Sequence, residues 1–281
     1  MSATIQIQQT AVVTAKASLL DQIQLRHGPV AQLGRFFLIA DRAAHELGIS
    51  LQLHTNMASL FDAYREVQPP GRNVPALPIF DPAYNDLSAA NAFWISGRNE
   101  AGQIVATQAA RFYDMTGTNV EVEHTSLRLM YGDPTVAPPG MRIDVDCPPT
   151  RDISGRVVFS GGAYYHKSVR GRGLSRILPR ISRALAYTQW NTQCTFGWVE
   201  DVLVTKNIHT AYGYTNHLPY VKLVHSNRGN VTFDLVWMYP EEMLTDLAAY
   251  VSETTSNLAR KMDVTETNVV PPRRQGSSNL S

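Results

Sequence analysis

Two cysteines in 281 residues, Cys147 and Cys194, are too few for a disulfide framework, and they lack the CxxC spacing of a metal or redox pair. Nothing cationic stands at a short fixed spacing to make either a nucleophile, and a reducing, cytoplasmic setting is the expectation. No apolar run approaches the roughly twenty residues of a membrane span. The opening MSATIQIQQTAVV has no basic stretch leading into an apolar core, so no secretory signal or membrane partner is expected. Charge of one sign is missing as well: 25 Lys and Arg against 24 Asp and Glu leave a formal +1, and no global basic field advertises nucleic acid. No internal repeat is detectable, and no metal-ligand set stands out.

What remains is a chain that is 44% hydrophobic and 17% charged, enough to bury a real core in an α+β pattern. In AQLGRFFLIADRAAHEL, the residues Leu33, Phe36, Phe37, Ala40, Ala44 and Leu47 recur at helical spacing, and Gly48 follows as a C-terminal cap. ISLQLHT alternates as a strand, and TNMASLFDAYREV is a helix that Thr55 or Asn56 caps. Residues 69–92 hold five prolines and read as a surface loop. AFWISGRNEAGQIVATQAARFY is a hairpin turning at Asn99–Gly102. Within 115–154, VEVEHTSLRLMY reads as an additional strand, and GDPTVAPPGMRIDVDCPPTRD as a long, breaker-rich, functional loop.

The densest signal lies in KSVRGRGLSRILPRISRALAY, residues 167–187, with six Lys or Arg and two glycines. GRVVFSGGAYYH before it is a strand, Gly161–Gly162 marking a bulge or a close backbone approach. After the glycines, Leu174, Ile177, Leu178, Ile181, Leu185 and Ala186 form an apolar helix face. A strand, a glycine turn and a helix in that order aim free backbone N–H groups and the positive end of a helix dipole at one phosphate, and neighbouring arginines add charge-assisted bonds. A plain strand-to-helix connection also uses glycine. Pro179 sits early in the helix and removes one backbone bond there. Arg172, Arg176, Arg180 and Arg183, spaced four, four and three, line one face that could instead follow a nucleic-acid backbone.

Arg170-Gly171-Arg172-Gly173-Leu174-Ser175 resembles the [Q/R]-x-x-G-x-[G/A] acyl-CoA signature of the GNAT superfamily of N-acyltransferases, with Ser175 a departure at the last position. The flanking order agrees: TQCTFGWVE as the next strand, VEDVLVTKNIHTAYGY as a helix closing on Gly213-Tyr214, then LPYVKLVHS and VTFDLVWMY as the final strands. The resemblance covers about residues 48–240. Residues 1–47 are then an N-terminal helical extension, 115–154 an insertion, 241–262 a C-terminal helix, and 263–281 a tail of disordered composition.

The resemblance implies a GNAT-like mixed, largely antiparallel sheet flanked by helices, and transfer of an acyl group from acetyl-CoA or another acyl-CoA to an amine by direct attack. Residues 171–175, that is Gly171, Arg172, Gly173, Leu174 and Ser175, would cradle the pyrophosphate with Arg170 and Arg172 as cationic support. Ala163, Tyr164 and Tyr165 would pair with the pantetheine arm. The family's acid is a tyrosine four residues before the closing glycine. That position here is His209, with Tyr212 one residue before the glycine, and both remain candidate acids. Glu200 is the first candidate base, Asp201 and His166 weaker ones, although Glu200 and Asp201 equally suit a helix N-terminus. The loops carry Asp81, Asp86, Glu121, Glu123, Asp133, Asp144 and Asp146 against Arg128 and Arg142, which favours an amine-bearing small molecule or peptide as acceptor. A homodimer is the assembly that analogy suggests. Two other readings stay open: an inactive CoA-binding sensor, and a nucleic-acid binder using the arginine stripe.

Overall fold

The computed structural model describes residues 18–67 and 77–267. Its frame is a sheet of eight strands: β1 (Ser50–His54), β2 (Ala92–Arg98), β3 (Ile104–Met115), β4 (Arg142–Val145), β5 (Gly155–Tyr165), β6 (Cys194–Glu200), β7 (Asn216–Ser226) and β8 (Gly229–Met238), in the order β1-β2-β3-β5-β6-β8-β7-β4. Neighbours are antiparallel except β5 and β6. The α+β class and the largely antiparallel sheet are as expected.

Successive residues of a strand point to opposite faces, so each strand feeds two cores. Trp94, Phe159, Phe196, Phe233 and Leu235 pack on one face with Leu60, Ala63 and Val67 of α3 (Ala58–Val67). Phe93, Val158 and Met238 pack on the other with three helices: α2 (Val30–Glu46), α5 (Leu174–Trp190) and α7 (Pro240–Thr267). Helix α2 buries the periodic set Leu33, Phe36, Phe37, Ala40 and Ala44, each large member contributing about 1.5–3 kcal/mol. It ends at Leu47, and Gly48 takes the left-handed conformation at φ +71°. A short α1 (Leu19–Gln22) precedes it. The N-terminal and C-terminal helices therefore share one core with the helix that follows the glycine turn.

Asn56 Oδ1 accepts from Ala58 N at 3.1 Å at the start of α3, and the β2–β3 turn closes with Gly102 N donating to Asn99 O at 2.8 Å. The loop from residue 77 to 91 contains one short 3-10 turn, Pro78–Phe80; residues 69–76 lie outside the described residues. The tail expected from residue 263 is helical to Thr267, and the rest of it also lies outside the described residues. Among the described residues, no helix is long and apolar enough to cross a membrane.

Three expectations are corrected. VEVEHTSLRLMY is not a strand: Val120–Thr125 is helix α4, capped by Asn119 Oδ1 accepting from Val122 N at 2.9 Å, and Val120 and His124 face inward one turn apart. The Val-Glu alternation was too short to separate period 2 from 3.6, while the Asn cap and the acids of the first turn favour helix. The insertion is likewise no open loop, because β4 adds an edge strand against β7. VEDVLVTKNIHTAYGY is not one helix either. It divides into α6 (Asp201–Thr205) and a 3-10 turn at His209–Tyr212, broken where Asn207 adopts φ +55°. Val202, Val204, Thr205 and Ile208 are β-branched and give that segment little helical drive.

Candidate functional site

β5 and β6 are paired only over Val157–Phe159 and Cys194–Phe196. A Cβ at Gly197 would fall 2.5 Å from the Ser160 carbonyl oxygen, so only glycine fits at the point where the strands part. On its other side β5 carries a bulge just after Gly161: Thr107 pairs with Tyr164 and Ala109 with Gly161, so the register shifts across Gly162 and Ala163. Beyond this point β5 runs on to Tyr165 and β6 to Glu200 without pairing with each other. The edge of β5 over Gly161–Tyr165 that faces β6 thus presents main-chain donors and acceptors to a cleft, and such groups need partners.

The glycine turn stands at the end of that edge. Gly171 and Gly173 have φ of +74° and +95°, and a Cβ at either would meet nothing within 4 Å, so the turn opens onto free space. Left-handed backbone in two of three residues is why this segment uses glycine. Helix α5 starts at Leu174, as read from the sequence, with Gly173 as its cap residue and Pro179 inside it. Among the described residues, no acceptor takes the N–H groups of Gly171, Gly173, Leu174 or Ser175. These amides stand free at the positive end of a 17-residue helix, an arrangement suited to an anion. The arginines beside it brace the turn: Arg170 Nε donates to Tyr165 O at 2.8 Å and Arg172 Nη2 to Leu47 O at 2.7 Å. Both remain exposed. Leu174 contributes only its amide, its side chain being buried.

Of the three residues expected along the pantetheine arm, Ala163 is exposed and Tyr164 donates its hydroxyl to Val67 O at 2.7 Å. The Tyr165 hydroxyl is buried without a partner among the described residues, and burial raises its pKa well above the usual phenol range. His166 is a local cap, its Nδ1 lying 2.8 Å from Ser168 Oγ.

Glu200 ends β6 and is the cap residue of α6, as its position before Asp201 allowed; its Oε1 accepts from Arg228 Nη2 at 2.6 Å. Tyr212 is held protonated, its pKa raised first by burial and then by the nearby charge of Glu200, and it also influences Tyr165. Tyr165 and Glu200 thus stand at the ends of β5 and β6, beyond the last residues that pair, and Tyr212 lies on the 3-10 turn after α6. His209 lies on the same 3-10 turn as Tyr212, three residues earlier, where side chains eclipse.

Only half of the arginine stripe, Arg172 and Arg176, is a solvated face. Arg180 and Arg183 are buried, and Asp246 of α7 receives Arg180 Nη2 at 2.7 Å and Arg183 Nη2 at 3.4 Å. Arg183 also covers the Tyr214 ring at 4.3 Å, and burial lowers its pKa. Arg176 pairs with Glu253 at 2.6 Å. With three of its four arginines paired to acids of α7, the stripe has little charge left to track phosphates, and the nucleic-acid reading is not favoured. Its actual work is local: Arg180 Nη1 donates to Ala211 O at 2.9 Å, the carbonyl just before Tyr212. Gly213 turns at φ +75° against this guanidinium, a Cβ there falling 2.5 Å from Arg180 Cζ and 2.8 Å from Asp246 Oδ1.

Sequence reasoning did not find Asp246, nor the His124–Trp198 contact. His124 of α4, fully buried, accepts from Trp198 Nε1 at 3.1 Å and fixes that indole beside Phe159 and Phe233. Two arginines on an otherwise apolar helix face were the legible hint of a buried acidic partner. Three of the seven acids that favoured an amine acceptor are paired within the insertion: Glu121 with Arg151, Glu123 with Arg128 and Asp144 with Arg142, at 2.6, 2.8 and 3.0 Å.

No family model and no curated protein matches the chain. Solved structures similar to it include Arabidopsis thaliana NAA60 in complex with acetyl-CoA, at 11% identity and TM-score 0.40, over 69% of this chain and 99% of that one. A GCN5-related N-acetyltransferase from Kribbella flavida aligns at 12% identity and TM-score 0.34, over 67% and 97%. An uncharacterized protein from Bacillus halodurans aligns at 9% identity and TM-score 0.43, over 73% and 91%. With TM-scores below 0.5, these likenesses carry no weight beside the geometry of the cleft and turn.

Proposed function

We propose that the chain is an acyl-CoA-dependent N-acyltransferase using acetyl-CoA or a close relative. The observation that carries this reading is the glycine turn: free amides at the start of α5 continue from a strand edge that has lost its partner. A long thiol cofactor ending in phosphates suits that pairing, its amide-bearing arm along Gly161–Tyr165 and its pyrophosphate on residues 171–175. An acceptor amine attacks the thioester carbonyl, the C–N bond forms and the C–S bond breaks. Tyr212, kept protonated, supplies the proton that the departing thiolate needs. Glu200 and His209 are the groups that take the proton released by nitrogen. Paired acids in the insertion weaken the electrostatic case for a cationic acceptor, so the amine rests on the chemistry of the resemblance.

Calorimetric titration of acetyl-CoA and CoA tests the reading, with Gly173→Glu beside Gly102→Glu. Both glycines have positive φ and open space, at +95° and +79°. Both variants therefore carry a similar backbone strain of about 1–2 kcal/mol, but only Gly173→Glu puts a carboxylate in the cradle. Binding lost in that variant alone supports the site; no binding by the folded wild type refutes it. Binding without release of free thiol, in the presence of amines or of water alone, would leave a CoA-binding protein and no enzyme.

A further inference from the structure

Asp234 of β8 is only 6% exposed and lies opposite Val199 of β6, one strand away from where β5 and β6 part. A carboxylate so deep in a sheet needs a partner, and His217 Nε2, from β7, supplies it. With Nε2 donating to the carboxylate, Nδ1 of the neutral ring keeps a lone pair to accept a proton. The His217 ring packs against that of His209 with centroids 4.7 Å apart, and its side chain is 34% exposed. His209 Nδ1 is buried and has no hydrogen-bond partner among the described residues. A purely structural Asp234–His217 pair explains neither the second imidazole nor its unpartnered nitrogen. His209 and Tyr212 stand on one face of their 3-10 turn, so the imidazole pair follows Tyr212 and ends at His217, which reaches solvent.

We propose that His217, oriented by Asp234, carries to solvent the proton that the acceptor loses, acting through His209. The inference rests on the acyltransfer reading above. The nitrogen forms its bond to the carbonyl carbon, the C–S bond breaks, and the thiolate takes the Tyr212 proton. The nitrogen's proton passes to His209, which hands one to His217; His217 releases it to water, and water restores the proton on Tyr212. The sum is amine plus thioester to amide plus thiol. His217 is thus a relay and positioning residue, and it need not touch the substrate.

The test uses the full chain with acetyl-CoA, thiol release being followed with a panel of primary amines and with water alone as nucleophile. His217→Gln should lower kcat at least about tenfold, within the roughly 100-fold that a directly acting base supplies at the low end, with KM for acetyl-CoA and thermal stability near wild type. His217→Ala should lose as much and recover part of it when free imidazole is added, a response that a structural role would not show. Unchanged kcat in both variants, or a loss in His217→Ala that imidazole does not relieve, overturns the relay alone. Wild type that binds acetyl-CoA but releases no thiol overturns the relay while sparing the binding site. Wild type that does not bind acetyl-CoA overturns the acyltransfer reading and the relay with it.

Discussion

Replacing Asp246 by Asn removes one negative charge from between two buried guanidiniums. The Arg183 side chain is 0% exposed and that of Arg180 8%, and Asp246 is the carboxylate that both reach. Asparagine keeps the shape and one acceptor, so packing is preserved and the electrostatic loss stands alone. Breaking a buried ion pair from one side costs about 3–5 kcal/mol, because the remaining charge cannot be rehydrated. At about 2–4 °C per kcal/mol for a domain of this size, the melting temperature should fall by roughly 6–20 °C. Arg176→Ala is the control: its pair with Glu253 is about half exposed on each side, at 46% and 51%, and such pairs contribute about 0–1 kcal/mol. Differential scanning calorimetry of the two variants gives the comparison. Should Asp246→Asn melt within about 2 °C of wild type, or no lower than Arg176→Ala, the buried triad is not what clamps α7 to α5. Because Arg180 also holds the Ala211 carbonyl, the variant should lose turnover even at temperatures where it stays folded.

Three further outcomes can be checked separately. Gly213→Ala forces an L-residue into left-handed backbone and against Arg180 and Asp246, and should cost more than the about 1–2 kcal/mol of the backbone term; chemical denaturation equal to Gly229→Ala, at φ +77° in open space, would count against it. Burial lowers the His124 pKa to about 4 from 6.5. The folded state keeps this ring neutral while the unfolded chain protonates it, so its stabilisation is present above about pH 6.5 and is lost as pH falls toward 4, about 3 kcal/mol in all. Urea midpoints from pH 7 to 4 should show that loss, and His124→Gln should flatten it; equal slopes in both proteins would refute the assignment. Trp198→Phe deletes the donor to His124 Nε2 and should cost about 1–3 kcal/mol, a figure that the same denaturation series reads directly.

The sequence by itself determined those features that local chemistry dictates. Helix α2 followed from Leu33, Phe36, Phe37, Ala40 and Ala44 at one spacing, the β2–β3 hairpin from its turn, and the start of α5 from Gly173 before an apolar face. The open glycine turn was legible for the same reason: backbone conformation at Gly171 and Gly173 is a property of those residues and their neighbours. α4 was misread because a few Val-Glu residues satisfy two periods at once and the Asn119 cap decides between them, and the segment from Asp201 to Tyr212 because its β-branched residues give little helical drive and a left-handed Asn207 breaks it. Contacts between distant segments were out of reach. Arg180 and Arg183 look solvated until α7 delivers Asp246, 66 and 63 residues further along, and Asp234 meets His217 only when β7 and β8 pair. A guanidinium or a carboxylate has no fixed role in a sequence: its partner and its exposure set its energy, and only the tertiary structure supplies both.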